Sequence, residues 1–403
     1  MPRVDLLDPM VQPYAWGSRT VIAELQGRQA PAAGPEAELW MGAHPSAPSG
    51  LDRAGVRATL DAVIAADPAG ELGAECAKRF GGRLPFLLKV LAAEKALSIQ
   101  VHPSREQAEA GFREETELGL RPGDKARNYV DDWPKPEILC ALSRFEVLAG
   151  MRTATDAAEL LRQLGVGELE PVAADLAAAP VPEALTAALG RILSWPAEGR
   201  AALIAGVLAA CERLAATDSG YAAACRAIVR LGAEHPGDLG IVAALLLRHA
   251  VLQPTEAVFL PAGGLHSYLH GTGVELLANS DNVVRAGLTG KHIDVPELLK
   301  LTDPTVPVPV IEPRPLGDGV FAYESPAPEF RLYRAGLSAA TVVLPGGGPR
   351  LVLCAEGTAT LRSAPGGELT VRRGESCFLS AADGTVTASG PAVIFLAESG
   401  INC

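Results

Sequence analysis

Two donors set two residues apart in a β-like run, Gln100 and His102 of Ser98-Ile99-Gln100-Val101-His102-Pro103, are where this 403-residue chain is best equipped for chemistry. Successive side chains of an extended strand alternate between faces, so Gln100 and His102 point one way and Ile99 and Val101 the other. Such a strand can hand two ligands to one metal ion. Lys135-Pro136-Glu137 adds a carboxylate beside a fixed proline, and Pro261-Ala262-Gly263-Gly264-Leu265-His266-Ser267-Tyr268 adds an imidazole after a glycine turn. Gln100, His102, Glu137 and His266 form a set of borderline softness that suits zinc and is tolerated by manganese, iron or cobalt. Taken singly, each of the seven histidines reads as an ordinary structural residue. The constellation carries the metal reading.

The elements that must bring these groups together fall into textures along the chain. Residues 1–152 are punctuated by Gly and Pro, with short apolar runs such as Leu84 to Leu91 and Ile138 to Leu142 that predict strands. Residues 153–250 are rich in Ala and Leu at helical spacing (Leu160, Leu161, Leu164; Leu203, Ile204, Val207, Leu208), which predicts a bundle of five or six helices. Strand texture returns over 251–303, with a helix at Val295 to Leu301. The proline-rich stretch from Pro304 opens a connector, and the rest of 304–403 alternates apolar runs with Gly turns. The ligands lie before and after the helical region, which is therefore an insertion into one catalytic unit. The fold predicted is mostly β: a catalytic β unit in two parts (1–152 and 251–303), a helical domain, and a small C-terminal antiparallel barrel or sandwich without histidine.

Composition narrows the partners. With 48% apolar and 20% charged residues the chain has ample material for buried cores, and its net charge of −12 argues against nucleic-acid or anionic-membrane surfaces. No apolar run reaches membrane-spanning length. An anionic small substrate needs a local basic pocket, for which Lys89, Lys135, Arg285 and Lys291 are candidates. Seven cysteines without a CxxC pair support neither a disulfide framework nor a thiolate zinc site. Met1-Pro2-Arg3-Val4-Asp5 lacks the apolar core of a signal peptide. A cytoplasmic protein, acting as a monomer, is expected.

The segments Tyr14-Ala15-Trp16-Gly17, Ala37-Glu38-Leu39-Trp40-Met41-Gly42-Ala43-His44-Pro45-Ser46, Pro85-Phe86-Leu87-Leu88-Lys89-Val90-Leu91, Leu97-Ser98-Ile99-Gln100-Val101-His102-Pro103 and Ser280-Asp281-Asn282-Val283-Val284-Arg285-Ala286-Gly287-Leu288-Thr289 resemble, in order, the type I mannose-6-phosphate isomerase family. Gly290 and Ser104-Arg105 depart from its usual pattern. The resemblance implies that the catalytic β unit is a cupin-type β-barrel or jelly-roll, and it implies a second cupin-like domain at the C-terminus, one Zn2+ per chain, and interconversion of mannose 6-phosphate and fructose 6-phosphate. It implies Gln100, His102, Glu137 and His266 as ligands, Arg285 as the active-site arginine, and Ser98 and Lys291 as phosphate contacts.

Moving a proton between C1 and C2, and another between O1 and O2, passes through an enediolate, whose oxygen charge a cation and Arg285 would stabilise. Lys135, Glu275 or a metal-held water could be the base. Tyr268 and Trp16 read equally as walls of a sugar pocket or as core aromatics, and Lys89 as a pocket cation or a lysine with a buried stem. His44 is expected to hydrogen-bond rather than ligate, and His235, His249, His270 and His292 to be surface or packing residues. Two other functions share these features, a metal-dependent cupin dioxygenase and a non-catalytic sugar-phosphate-binding cupin.

Overall fold

The computed structural model describes residues 4–121 and 123–401; Cys403 and the first three residues lie outside them. Two antiparallel sheets and a block of helices make up the protein. The site belongs to an eleven-stranded sheet whose centre is the long strand His266–Ala278. Its second half pairs with Phe86–Ala93 on one side and Glu137–Ala141 on the other, while its first half pairs with Ile99–Val101 and Phe145–Met151. The change of partners falls at a register shift between Tyr268 and His270, beside Gly271 at φ +132°. A Cβ there would stand 2.7 Å from the Arg144 carbonyl oxygen, so only glycine permits the approach.

The second sheet has twelve strands and repeats the device. Arg350–Ser363 pairs with Ser376–Leu379 and Ala392–Glu398 before a bulge at Cys354 to Glu356, and with Glu368–Arg372 and Val386–Ser389 after it. Val4–Asp8, Gly50–Arg53 and Val56–Thr59, from the start of the chain, pair into this same sheet. Among the described residues both sheets branch from one long strand, and neither returns to close a ring of pairing.

This corrects the fold expected from the sequence. Neither a cupin-type barrel or jelly-roll for the catalytic part nor a second cupin-like barrel at the C-terminus is formed, and the architecture is mixed α and β with open sheets. Alternating apolar residues and regular turns report strand length and a buried face; they are silent on whether the last edge finds the first. The two bent strands divide their partners between their halves, which produces branching instead of closure.

Helices occupy 154–243, the longer ones being Ala154–Leu164, Glu170–Ala178, Pro182–Leu193, Ala197–Ala215 and Ala222–Glu234. The first is typical of how the sequence writes them. Thr153 accepts the Asp156 amide at its start, Gly165 takes the left-handed conformation at its end, and Leu160, Leu161 and Leu164 are buried. The expected helical run to residue 250 ends sooner, since Leu247–Leu252 is a strand. The helix Val295–Leu301 lies where its spacing places it. No helix among the described residues is long and apolar enough to cross a membrane.

The helical block shares one core with the strands that carry the site, since its leucines pack with Ile99, Val101, Val284, Ala286 and Leu288. A buried ion cluster fastens the same junction. Glu146, on Phe145–Met151, accepts from Arg230 at 2.5 Å and lies 2.6 Å from His249 Nε2. Burial would raise the Glu146 carboxyl, but His249 and Arg230 outweigh it and hold the group below its ordinary value. A depressed carboxylate adds stability that is complete above its ordinary pKa and is lost as pH falls through the folded value. Glu146→Ala should therefore lower stability at neutral pH by about 1–3 kcal/mol in denaturant unfolding, with the deficit shrinking in acid. An equal deficit at pH 7 and at pH 3 would show that the loss is packing alone.

Candidate active site

Three strands in register set the ligand donors side by side. Gln100 lies opposite His266 on one neighbour and Arg285 on the other, while Glu137 begins its strand opposite Leu277. His102 follows the last residue of its strand, and Pro103 and a capping box between Ser104 and Gln107 turn the chain into the helix Arg105–Glu117.

One ligand-capable atom each from His102, Glu137 and His266 lies within 4.8 Å of the others, and all three residues are buried. His102 Nε2 is 3.3 Å from Glu137 Oε1, and His266 Nε2 is 3.5 Å from Glu137 Oε2. Both rings are held by their other nitrogen. His102 Nδ1 lies 2.7 Å from the Asn282 carbonyl oxygen and His266 Nδ1 lies 2.9 Å from that of Gly264. A carbonyl can only accept, so Nδ1 carries the proton and a neutral ring presents a bare Nε2 to the centre of the cluster. Burial pushes the His102 imidazole down to about 4, which keeps it neutral. Both Nε2 atoms and Glu137 Oε2 are buried without a hydrogen-bond partner among the described residues. Inward lone pairs left unsatisfied in this way fit a bound cation, and the donor set suits a borderline divalent metal.

Backbone contacts fix these ligands further. The Gly263 amide donates to the His102 carbonyl at 3.0 Å, with Gly263 at φ +80°. Asn282, fully buried, donates from its side chain to the carbonyls of Asp131 and Trp133, both at 2.8 Å. The Ser280-Asp281-Asn282 run thus clamps His102 in place, a task its polar sequence does not announce.

Glu137 and Gln100 open onto a cavity of about 640 Å3, which also takes in Trp16, Lys89, Ser98, Lys135, Tyr268, Glu275, Arg285 and Lys291. Lys135 Nζ is 2.9 Å from Glu137 Oε1. Burial would raise the Glu137 carboxyl, but the Lys135 ammonium leads the interactions that hold it well below the carboxylate range. Lys89 stands between two carboxylates, 3.3 Å from Glu38 and 3.3 Å from Glu275, and 4.9 Å from the centre of the Trp40 ring. Burial would lower its ammonium, but Glu38, Glu275 and Glu137 keep it charged. Burial, with Glu137 and Glu38 adding to it, pushes Glu275 up to about 7. Three buried carboxylates against two lysines leave one negative charge short of compensation, a second reason for a cation to be at home here.

The same cavity also holds cations that are not paired. Arg285 and Lys291 line the cavity without an ion-pair partner among the described residues. Burial lowers both, and Arg285 lowers Lys291 further. With Ser98 and Thr289 they make an anion-seeking corner. Tyr268 is a buried wall packed edge-on against Phe145 at 5.5 Å, and Trp16 stacks on Tyr14. His44 bridges Ser46 and Asp281 at the margin; His249 serves the Glu146 cluster, and His270 and His292 are exposed. Two groups had no signal in the sequence: Glu38, two residues from Trp40 on the strand beside Lys89, and His235, which reaches the cavity from the helical block.

Comparison with known proteins agrees with this geometry. Residues 5–154 match the family described as phosphomannose isomerase type I, catalytic domain. The chain is 36% identical over 383 residues to the mannose-6-phosphate isomerase of Escherichia coli K12, covering 94% of this chain and 95% of that protein. To the Bos taurus enzyme of the same name it is 33% identical over 416 residues, covering 94% of each. A zinc-bound crystal structure of mannose 6-phosphate isomerase superposes with a TM-score of 0.90 at 34% identity, over 99% of this chain and all of that one. A variant of the Salmonella typhimurium phosphomannose isomerase gives 0.92 at 33% identity over the same shares. A centre built on His102, Glu137 and His266, in a fold shared from end to end with these enzymes, therefore has a family: the chain belongs to the type I mannose-6-phosphate isomerases.

Proposed function

We propose that this chain interconverts D-mannose 6-phosphate and D-fructose 6-phosphate, holding one zinc ion on Gln100, His102, Glu137 and His266. The observation that carries the reading is one cavity whose lining joins Glu137 of the ligand cluster, with its buried unpartnered oxygen, to Arg285 and Lys291, which have no acid partners among the described residues. A sugar carrying a carbonyl at C1 or C2 and a phosphate at C6 matches that combination. The six buried free cysteines among the described residues suit a reducing cytoplasm.

A divalent zinc would polarise the carbonyl and hydroxyl oxygens at C1 and C2. The remaining tasks fall to the chain. Arg285, across from Gln100 in the sheet, is placed to offset the charge that grows on those oxygens, and a guanidinium stays charged while doing so. Glu275 is the favoured base, with a carboxyl near 7, deep in the cavity and held by Lys89. Lys135, tied to Glu137, is the alternative. Ser98 and Lys291 would take the phosphate, with Trp16 and Tyr268 as walls.

Chelation should abolish isomerisation while leaving the sheets folded, because the sheets share one large apolar core and each packs a further one. His102→Ala should lose the metal and His249→Ala should keep it, as read by metal analysis; active enzyme free of divalent ions would defeat the reading.

Arg285→Lys keeps charge but loses the planar fork, and should lower kcat by roughly 10²-fold with normal metal content. Near-normal kcat would remove the arginine from the transition state.

If Glu275 must be ionised, kcat/KM rises as pH increases through its pKa, at or below about 7 because a nearby cation lowers it further. Glu275→Gln should lose both this limb and most activity. An unchanged pH profile in that variant would transfer the role to Lys135.

A further inference from the structure

His235 sits at the end of the helix Ala222–Glu234, at the mouth of the cavity, and two hydrogen-bonded links hold it there. On one side, Glu234 accepts the Ala96 amide at 2.8 Å, two residues before Ser98. On the other, the Asp238 amide donates to the His235 carbonyl, and the Asp238 carboxylate accepts the Thr289 amide at 3.0 Å, two residues before Lys291. The turn and the site strand also touch through glycine, since a Cβ on Gly287 would fall 2.5 Å from the Gly240 Cα. His235 is thus fixed between the two loops that carry Ser98 and Lys291.

The imidazole is not used by the protein. Nε2 is buried without a partner, while Nδ1 makes no hydrogen bond among the described residues and is not buried. An orphan acceptor is tolerated in a protein interior better than an orphan N–H, so the proton belongs on Nδ1, the nitrogen left open at the cavity.

We propose that His235 is a further substrate-positioning residue, donating from Nδ1 to the phosphate held by Ser98 and Lys291, so that the helical block forms part of the phosphate-binding wall. This rests on the sugar-phosphate reading above. One charge-assisted hydrogen bond supports about a tenfold effect. Because the phosphate is remote from the reacting carbons, the loss should appear in KM far more than in kcat.

The test uses the metal-loaded enzyme and mannitol 6-phosphate, which lacks the carbonyl and cannot turn over. Calorimetric titration should give a dissociation constant about tenfold weaker for His235→Leu than for the parent. In His235→Asn, whose amide nitrogen falls near the place of Nδ1, affinity should be largely restored. His235→Gln, whose amide lies nearer the place of Nε2, should bind more weakly than His235→Asn, and this comparison stands even if the leucine variant fails to fold. Equal affinity in the parent and His235→Leu, or in the Asn and Gln variants, overturns the proposal. Weakened binding in His235→Leu with no isomerase activity in the parent would support the contact and reject the isomerase reading instead.

Discussion

Glu137 is the group on which the site depends. Its carboxylate is buried, reaches toward His102 and His266 with separate oxygens, and is met by the Lys135 ammonium at 2.9 Å. A carboxylate so placed is sustained only by nearby positive charge, and the imidazoles cannot supply it while neutral. The His102 ring is kept neutral by burial, and the carbonyls of Asn282 and Gly264 orient both rings. Lys135 alone leaves one carboxylate oxygen and two imidazole nitrogens unsatisfied. The scaffold has therefore fixed ligand geometry in advance and left the charge to be completed by an ion, which is how a rigid metal site avoids reorganising when it fills.

Charge across the cavity follows from the same arrangement. Glu38, Glu275 and Glu137 line the cavity paired with Lys89 and Lys135, whereas Arg285 and Lys291 line it without acid partners, so the cavity combines paired with unpaired charge. Because both cations lack acid partners among the described residues, binding an anion there breaks no existing ion pair. The protein's overall charge of −12 makes this corner more selective, since the surrounding field disfavours anions everywhere else.

What the sequence revealed depended on how local the signal was. Gln100 and His102 are two residues apart, Glu137 stands beside Pro136, and His266 follows Gly263-Gly264; spacing and turn chemistry are enough to suggest each. The helices of the insertion were legible from Leu160, Leu161 and Leu164 with Thr153 and Gly165 at the ends. Barrel closure was not legible, because it depends on which edges meet, and Gly271 and the bulge beside it direct His266–Ala278 to different partners in its two halves. Nor were Glu38 and His235. Glu38 becomes part of the site only because its strand lies beside that of Lys89, and His235 only because the turn after its helix is bonded to Thr289.

The bent strand also explains where the site is. His266 lies in the half of the strand that pairs with Ile99–Val101 and Phe145–Met151, whereas Glu275 lies in the half that pairs with Phe86–Ala93 and Glu137–Ala141. A single strand thus delivers a ligand to one set of neighbours and a carboxyl near neutrality to the other. In a regular strand of this length those residues would lie on opposite faces, being nine apart, an odd number. The register shift between Tyr268 and His270 removes that mismatch and lets both serve one cavity. The irregularity that keeps the sheet from closing is therefore the same one that brings His266 and Glu275 to one cavity.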